Sequence, residues 1–257
     1  MRRSEVRIDP LSVSLECSFS PQEPEFDAQS RQAIDQHWTK RLGENPRLVR
    51  GSVLWLQSAL TRPDRVSLSF GITDYAHYLH TIDVATPLNI PCRVAYTCGL
   101  LVTSDGFGVF GEMAAHTSTP RRLQCAGGGL ALADTVKNTV NLFGSISAEL
   151  NEELNLDTTM PAVRRSLQRP TFIKSGGDFD FVALIYLVPV ALALTEVRER
   201  YLEIPVEERE FVEIVGVELV PGKVAEFLAQ DYRPRVDYLD ALLRRIAAER
   251  LSQSPIA

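Results

Sequence analysis

Cys125-Ala126-Gly127-Gly128-Gly129, followed further along by Ala148-Glu149-Leu150-Asn151-Glu152-Glu153-Leu154-Asn155-Leu156, is the stretch on which the reading of this chain turns. On a helix at about 100° per residue, Glu149, Glu152 and Glu153 stand in the i, i+3, i+4 relation and share one narrow arc. Phe143, Ile146, Leu150 and Leu154 occupy the neighbouring arc, so a helix over residues 137–154 buries one side and carries three acids at its edge. Like charges at this spacing cost roughly a few tenths of a kcal/mol per pair on a solvated helix, and more in a cleft. A divalent cation removes that penalty, and magnesium takes one or two carboxylates together with waters and phosphate oxygens. An acidic helix face alone is most often solvated surface, and a glycine run alone is most often a structural turn. Together they offer oxygen donors beside a backbone that a ligand can approach closely.

Working outward, residues 94–103 read as a long apolar strand, Ser104-Asp105-Gly106 supplies turn chemistry, and residues 107–110 return as the partner strand. Toward the N-terminus, residues 5–19 are strand-like. A helix is expected over 27–42, strands over 49–56 and 66–71, and a short aromatic-rich helix over 73–81. Pro87 and Pro91 bracket an extended linker, which sets expected units at 1–88 and 89–257. The C-terminal part holds strand candidates at 170–173, 179–188 and 211–217, and helices at 194–201, 222–229 and 236–251. The last of these either covers the domain or supports a homodimer.

The formal net charge of −6 and the scattered Lys and Arg residues argue against a nucleic-acid partner. An anionic substrate then needs cations to bridge it. Cys17, Cys92, Cys98 and Cys125 show no metal-ligand spacing and suit a reducing compartment, the four histidines form no convincing metal site or triad, and no signal-peptide pattern opens the chain. The apolar stretch 181–194 is shorter than the roughly 20 residues a bilayer crossing needs and contains Pro189. The expectation is a cytoplasmic protein with no membrane partner.

The glycine turn and acidic helix resemble the Nudix box, in which a glycine and a spaced acid precede a helix reading Arg-Glu-apolar-any-Glu-Glu-any-Gly-apolar. All three glutamates and both apolar positions are present, and Asp134 stands at the family's distance from Gly128. Ala148 replaces the arginine, Asn155 replaces the closing glycine, and the loop before the helix is longer. Asn155 tolerates the left-handed conformation of a helix C-terminus. The family's arginine orients the glutamates, so the acids here must be held differently. Gly99-Leu100-Leu101-Val102-Thr103-Ser104-Asp105-Gly106, Phe70-Gly71-Ile72-Thr73-Asp74-Tyr75, and the segment from Phe179 through Glu196-Val197 to Tyr201 and Phe211 resemble the branch that cleaves UDP-glucose and related UDP-sugars.

The resemblance implies an α+β protein: a Nudix α/β/α sandwich with a mixed sheet, plus a small α+β N-terminal region. It implies hydrolysis of a nucleoside diphosphate-sugar, UDP-glucose or a related UDP-sugar, to UMP and sugar 1-phosphate. Magnesium, or manganese in its place, would be held by Glu149, Glu153 and Glu152 and the carbonyl of Gly127, with Glu152 either a further ligand or the base. In the family a further acid often joins from a later loop; Glu196, Glu207 and Glu208 are candidates, each more often ordinary surface charge, and the role stays unassigned. Arg121 and Arg122 are the candidates for a substrate phosphate, and Tyr75 and Tyr78 for stacking on the base. An ADP-ribose or other nucleoside diphosphate pyrophosphatase, and a silent nucleotide-sugar-binding module, are the open alternatives.

Overall fold

The structure, a computed structural model, describes residues 4–84, 88–117 and 119–253. Pro87 of the expected linker lies outside the described residues. The strand-like stretch at the start becomes two strands, β1 (Ser4–Pro10) and β2 (Ser14–Phe19), which enter different sheets. Pro10 ends the first because proline has no N–H to give to a ladder.

Helix α1 (Ala28–Glu44) starts where the Asp27 carboxylate accepts the Ser30 amide at 2.7 Å. Strands β3 (Ser52–Thr61) and β4 (Arg65–Asp74) form an antiparallel pair, with Val66, Leu68 and Phe70 buried in strict alternation. Asp74 caps α2 (Tyr75–Asp83) by accepting the His77 amide.

The hairpin of β5 (Ala95–Val102) and β6 (Phe107–Met113) lies where the sequence places it. Next come β7 (Leu123–Gln124), β8 (Thr135–Val136) and β9 (Thr139–Val140), then the acidic helix α3 (Leu142–Leu154). The expected helix start at residue 137 is corrected: residues 135–140 form a small hairpin whose turn holds Lys137 at φ 55°. Two Thr-Val pairs flank this turn, and their β-branched side chains favour strand over helix. Asn141 then caps α3 by accepting the Gly144 amide at 3.0 Å.

The remaining elements are α4 (Pro161–Ser166), β10 (Phe172–Gly177), β11 (Val182–Pro189), α5 (Leu194–Leu202), β12 (Phe211–Glu218), α6 (Pro221–Gln230) and α7 (Leu239–Gln253). No helix among the described residues is long and apolar enough to cross a membrane.

Two mixed sheets organise these elements. One runs β1-β10-β11-β5-β6-β12, with β7 also on β6, and contains a parallel β11–β5 pair. The other runs β3-β4-β2-β9-β8, with β2 and β4 parallel. Alternation along the first sheet sorts side chains to two helix layers. Cys98, Leu100, Ala183, Ile185, Val215 and Val217 pack under α6 and α7. Leu101, Tyr186, Val188 and Ile214 pack under α3, α4 and α5. The fold is therefore an α+β sandwich with the acidic helix on one face of a mixed sheet.

Gly99 permits that helix to come close. A Cβ there would lie 2.9 Å from Leu150 Cδ2 on α3 and 3.5 Å from Val188 Cγ2. Gly99→Val is expected to lower stability by about 1–3 kcal/mol through overpacking, read as a reduced urea midpoint at unchanged m-value. A variant as stable as the parent would show that α3 is not seated on β5 this tightly.

Candidate active site

Residues 126–130 run antiparallel along β5. The Gly99 amide donates to the Ala126 carbonyl at 2.8 Å, the Thr97 amide to Gly128 at 3.1 Å and the Leu130 amide to Ala95 at 3.3 Å. The glycine turn is thus an added piece of sheet with its geometry fixed by β5. Helix α3 is tied to the same strand by the buried contact of Thr97 Oγ1 with Ser145 Oγ at 3.2 Å.

Two of the three glycines are required by what they touch. Gly127 has φ +151°, and a Cβ on it would stand 2.1 Å from the Thr97 carbonyl oxygen. A Cβ on Gly128 would stand 2.0 Å from Glu149 Oε1, so this backbone is bare to let a carboxylate lie against it. Gly129 has open space around it.

The Gly127 amide donates to Glu153 Oε2 at 2.6 Å. Glu153 is 4% exposed, Glu149 is half-buried, and Glu152 faces solvent. Burial and the neighbouring Glu149 and Glu210 push the Glu153 carboxyl well up, against the opposing pull of the Gly127 amide. Burial, with Glu210, Glu152 and Asp134, pushes Glu149 up to about 7. Glu210 lies close enough to Glu153 to add to this upward push.

The structure therefore brings Glu149, Glu153 and Gly127 together and leaves Glu152 on the exposed side of the same helix end. Ala148 is exposed, and the backbone amide of Gly127 is what holds Glu153. Asn155 adopts the left-handed conformation at the C-terminus of α3, and its side-chain amide donates to the Arg200 carbonyl and to Glu203.

The acid that joins from later in the chain is Glu210, a residue the sequence reading did not single out. It stands just ahead of β12, where its carbonyl accepts the Ala114 amide at 2.7 Å. Glu196 instead caps α5 by accepting the Ala193 amide, and Glu207 and Glu208 are exposed. The available signal was position: Glu210 directly precedes Phe211, which opens a strand and points into the helix layer that holds α3.

Neither Arg121 nor Arg122 is among the charges that reach Glu149 or Glu153. Arg121 is exposed, has φ 63° and lies 3.7 Å from Glu112. Arg122 is close enough to Tyr78 to influence its hydroxyl. Tyr75 stacks on Tyr78 with ring centroids 5.5 Å apart. That stack continues through Phe181 at 5.9 Å and Phe179 at a further 5.3 Å. Tyr96 of β5 is bridged to Gly129 of the turn.

Among the described residues no group of three His, Cys, Asp or Glu side chains is already arranged as a metal cage. Glu153 is held instead by one backbone amide, that of Gly127. The donor set is nonetheless all oxygen, and the bare backbone at Gly128 leaves the Glu149 carboxylate lying against the turn. This suits a hard cation that uses few protein ligands and completes its shell with water and phosphate.

No family model and no curated protein matches the chain. Solved structures resemble it distantly. DR0079 from Deinococcus radiodurans is 16% identical at TM-score 0.38, over 60% of this chain and 83% of that one. A bifunctional NMN adenylyltransferase/ADP ribose pyrophosphatase from Francisella tularensis, complexed with AMP and a manganese ion, is 13% identical at TM-score 0.40, over 66% of this chain and 45% of that one. The chain thus aligns with under half the length of the second.

The raised carboxyls set a pH signature. The folded protein binds the Glu149 proton more tightly than the unfolded chain, so this contribution to stability is full below about 4.5 and is lost as pH rises through about 7. Asp27, Asp105, Asp157 and Asp231 are shifted down from 3.8 and act below this window. His77 and His80, held down from 6.5 by burial, act with the opposite sign in the same window. Without divalent cations, the Tm of the parent relative to that of Glu149→Gln should therefore fall between pH 4.5 and 7. A difference that stays flat or rises across the window contradicts the buried, like-charged environment of Glu149.

Proposed function

We propose that the protein is a metal-dependent pyrophosphohydrolase of the Nudix type, acting on a nucleoside diphosphate-sugar with UDP-glucose or a related UDP-sugar as the first choice. The observation that carries the reading is the meeting of Glu149 and Glu153 with a bare glycine backbone, where the Gly127 amide holds one carboxylate and Gly128 leaves room for the other.

Magnesium, or manganese, would supply Lewis-acid activation of the phosphate and of an attacking water. Glu149, Glu153 and the Gly127 carbonyl would hold it. Glu210 or Glu152, both exposed beside the buried acids, would accept the water's proton. The Tyr75–Tyr78 stack would take the base, and Arg121 and Arg122, on the loop that leads to the glycines, would meet the phosphates as the substrate spans these elements. In this reading residues 1–88 supply the aromatic side of the site and residues 89–257 its acids.

The test is a panel of nucleoside diphosphate compounds with magnesium, scored for UMP from UDP-glucose against AMP from ADP-ribose. UMP release that depends on magnesium is expected. Faster AMP release would reassign the base, and binding with no hydrolysis of any member would make the protein a sensor. Glu153→Gln should reduce turnover by on the order of 100-fold or more while the fold is retained. Full activity in that variant would overturn the assignment.

A further inference from the structure

Residues 231–238 return beneath the glycine turn. The Leu123 amide donates to the Pro234 carbonyl at 2.8 Å, and the Val236 amide donates to the Leu123 carbonyl at 3.0 Å, which adds this segment in parallel beside β7. Arg233, braced by Asp231 within the segment at 2.5 Å, anchors it to Glu213 at 2.9 Å and Glu112 at 3.0 Å. At its end Tyr238 is 1% exposed, and its ring packs beside Tyr96. The Tyr238 hydroxyl accepts the buried Cys125 amide at 3.3 Å.

Cys125 is joined through Ala126 to Gly127, whose amide holds Glu153. Ala126 itself is fixed to Gly99 of β5. The chain entering the glycine turn is thus gripped on the β5 side by a backbone bond and on the α7 side by one tyrosine hydroxyl. A phenylalanine would fill the same space without accepting the amide.

We propose that Tyr238 is a positioning residue for the acid pair: by holding the Cys125 amide, it fixes the register in which the Gly127 amide meets Glu153. The proposal rests on the reading of these acids as the cation and diphosphate site. It adds a dependence on a residue near the far end of the chain, on the opposite helix layer from α3.

The experiment compares Tyr238→Phe with the parent in three measurements. In the metal-free protein, hydrogen exchange at the Cys125 and Gly127 amides should accelerate about 10-fold, while exchange at Ile185 in the neighbouring strand stays unchanged. The manganese concentration at half-saturation, followed by Mn2+ EPR, should rise by about 10-fold, within the range for lost outer-shell support. With UDP-glucose and magnesium, kcat should fall and KM should hold. Tyr232→Phe, at a residue 92% exposed, is the control.

Unchanged exchange at Gly127 together with an unchanged manganese midpoint would overturn the proposal, and so would equal acceleration at Ile185, which marks general loosening. If Tyr238→Phe does not fold, Arg233→Gln decides the matter: it loosens the same segment from outside and should give both local effects in weaker form. If the parent binds manganese but hydrolyses no diphosphate, the hydrolase reading fails. The exchange and manganese results still decide the role of Tyr238.

Discussion

A buried carboxylate beside two others is the constraint on which this molecule is organised. Glu153 sits almost fully buried, with Glu149 and Glu210 as neighbours that oppose its charge and the Gly127 amide favouring it. Two charged carboxylates cannot share such a place without a proton or a cation between them. The surroundings must therefore be rigid enough to keep the acids together against that repulsion. The rigidity comes from β5, which carries the glycine turn on one edge and receives α3 on one face. Gly99 lets the helix approach, and the Thr97–Ser145 contact ties it down.

The local part of this arrangement was readable from the residues. Periodicity placed the acids on one arc of a helix and the apolar side chains on the next, and turn chemistry gave the β5–β6 hairpin. Asn155 was expected to take a left-handed cap, and it does. What was not readable depends on pairing between distant segments. The split of residues 5–19 into strands of different sheets follows from β1 joining β10 and β2 joining β4. The short β8–β9 hairpin displaced the expected start of α3 because it pairs with β2 at Ser18 and Thr139. Glu210 gave no motif signal, since its place beside Glu153 comes from the pairing of β12 with β6.

The acids are oriented without a side-chain donor. In the Nudix box that the sequence resembles, an arginine has that part; Ala148, at the matching position here, is exposed. The orienting donor here is a backbone amide, available because Gly127 adopts a conformation that turns it toward α3. A main-chain donor brings no side-chain entropy penalty and no net charge. It therefore leaves the like charge of the acids unbalanced.

That dependence on backbone explains why both sheets converge on the turn. On one side, Leu130 at its exit accepts the Leu54 amide from β3 while giving its own amide to Ala95 of β5. On the other, the strand that leads into it lies between β6 and the segment before α7. A turn held by its own side chains could be moved by a single substitution at the site. One held through the main chain by β3, β5, β6 and the C-terminal segment can be moved only by loosening those elements, so residues far from the acids in sequence set where the acids stand.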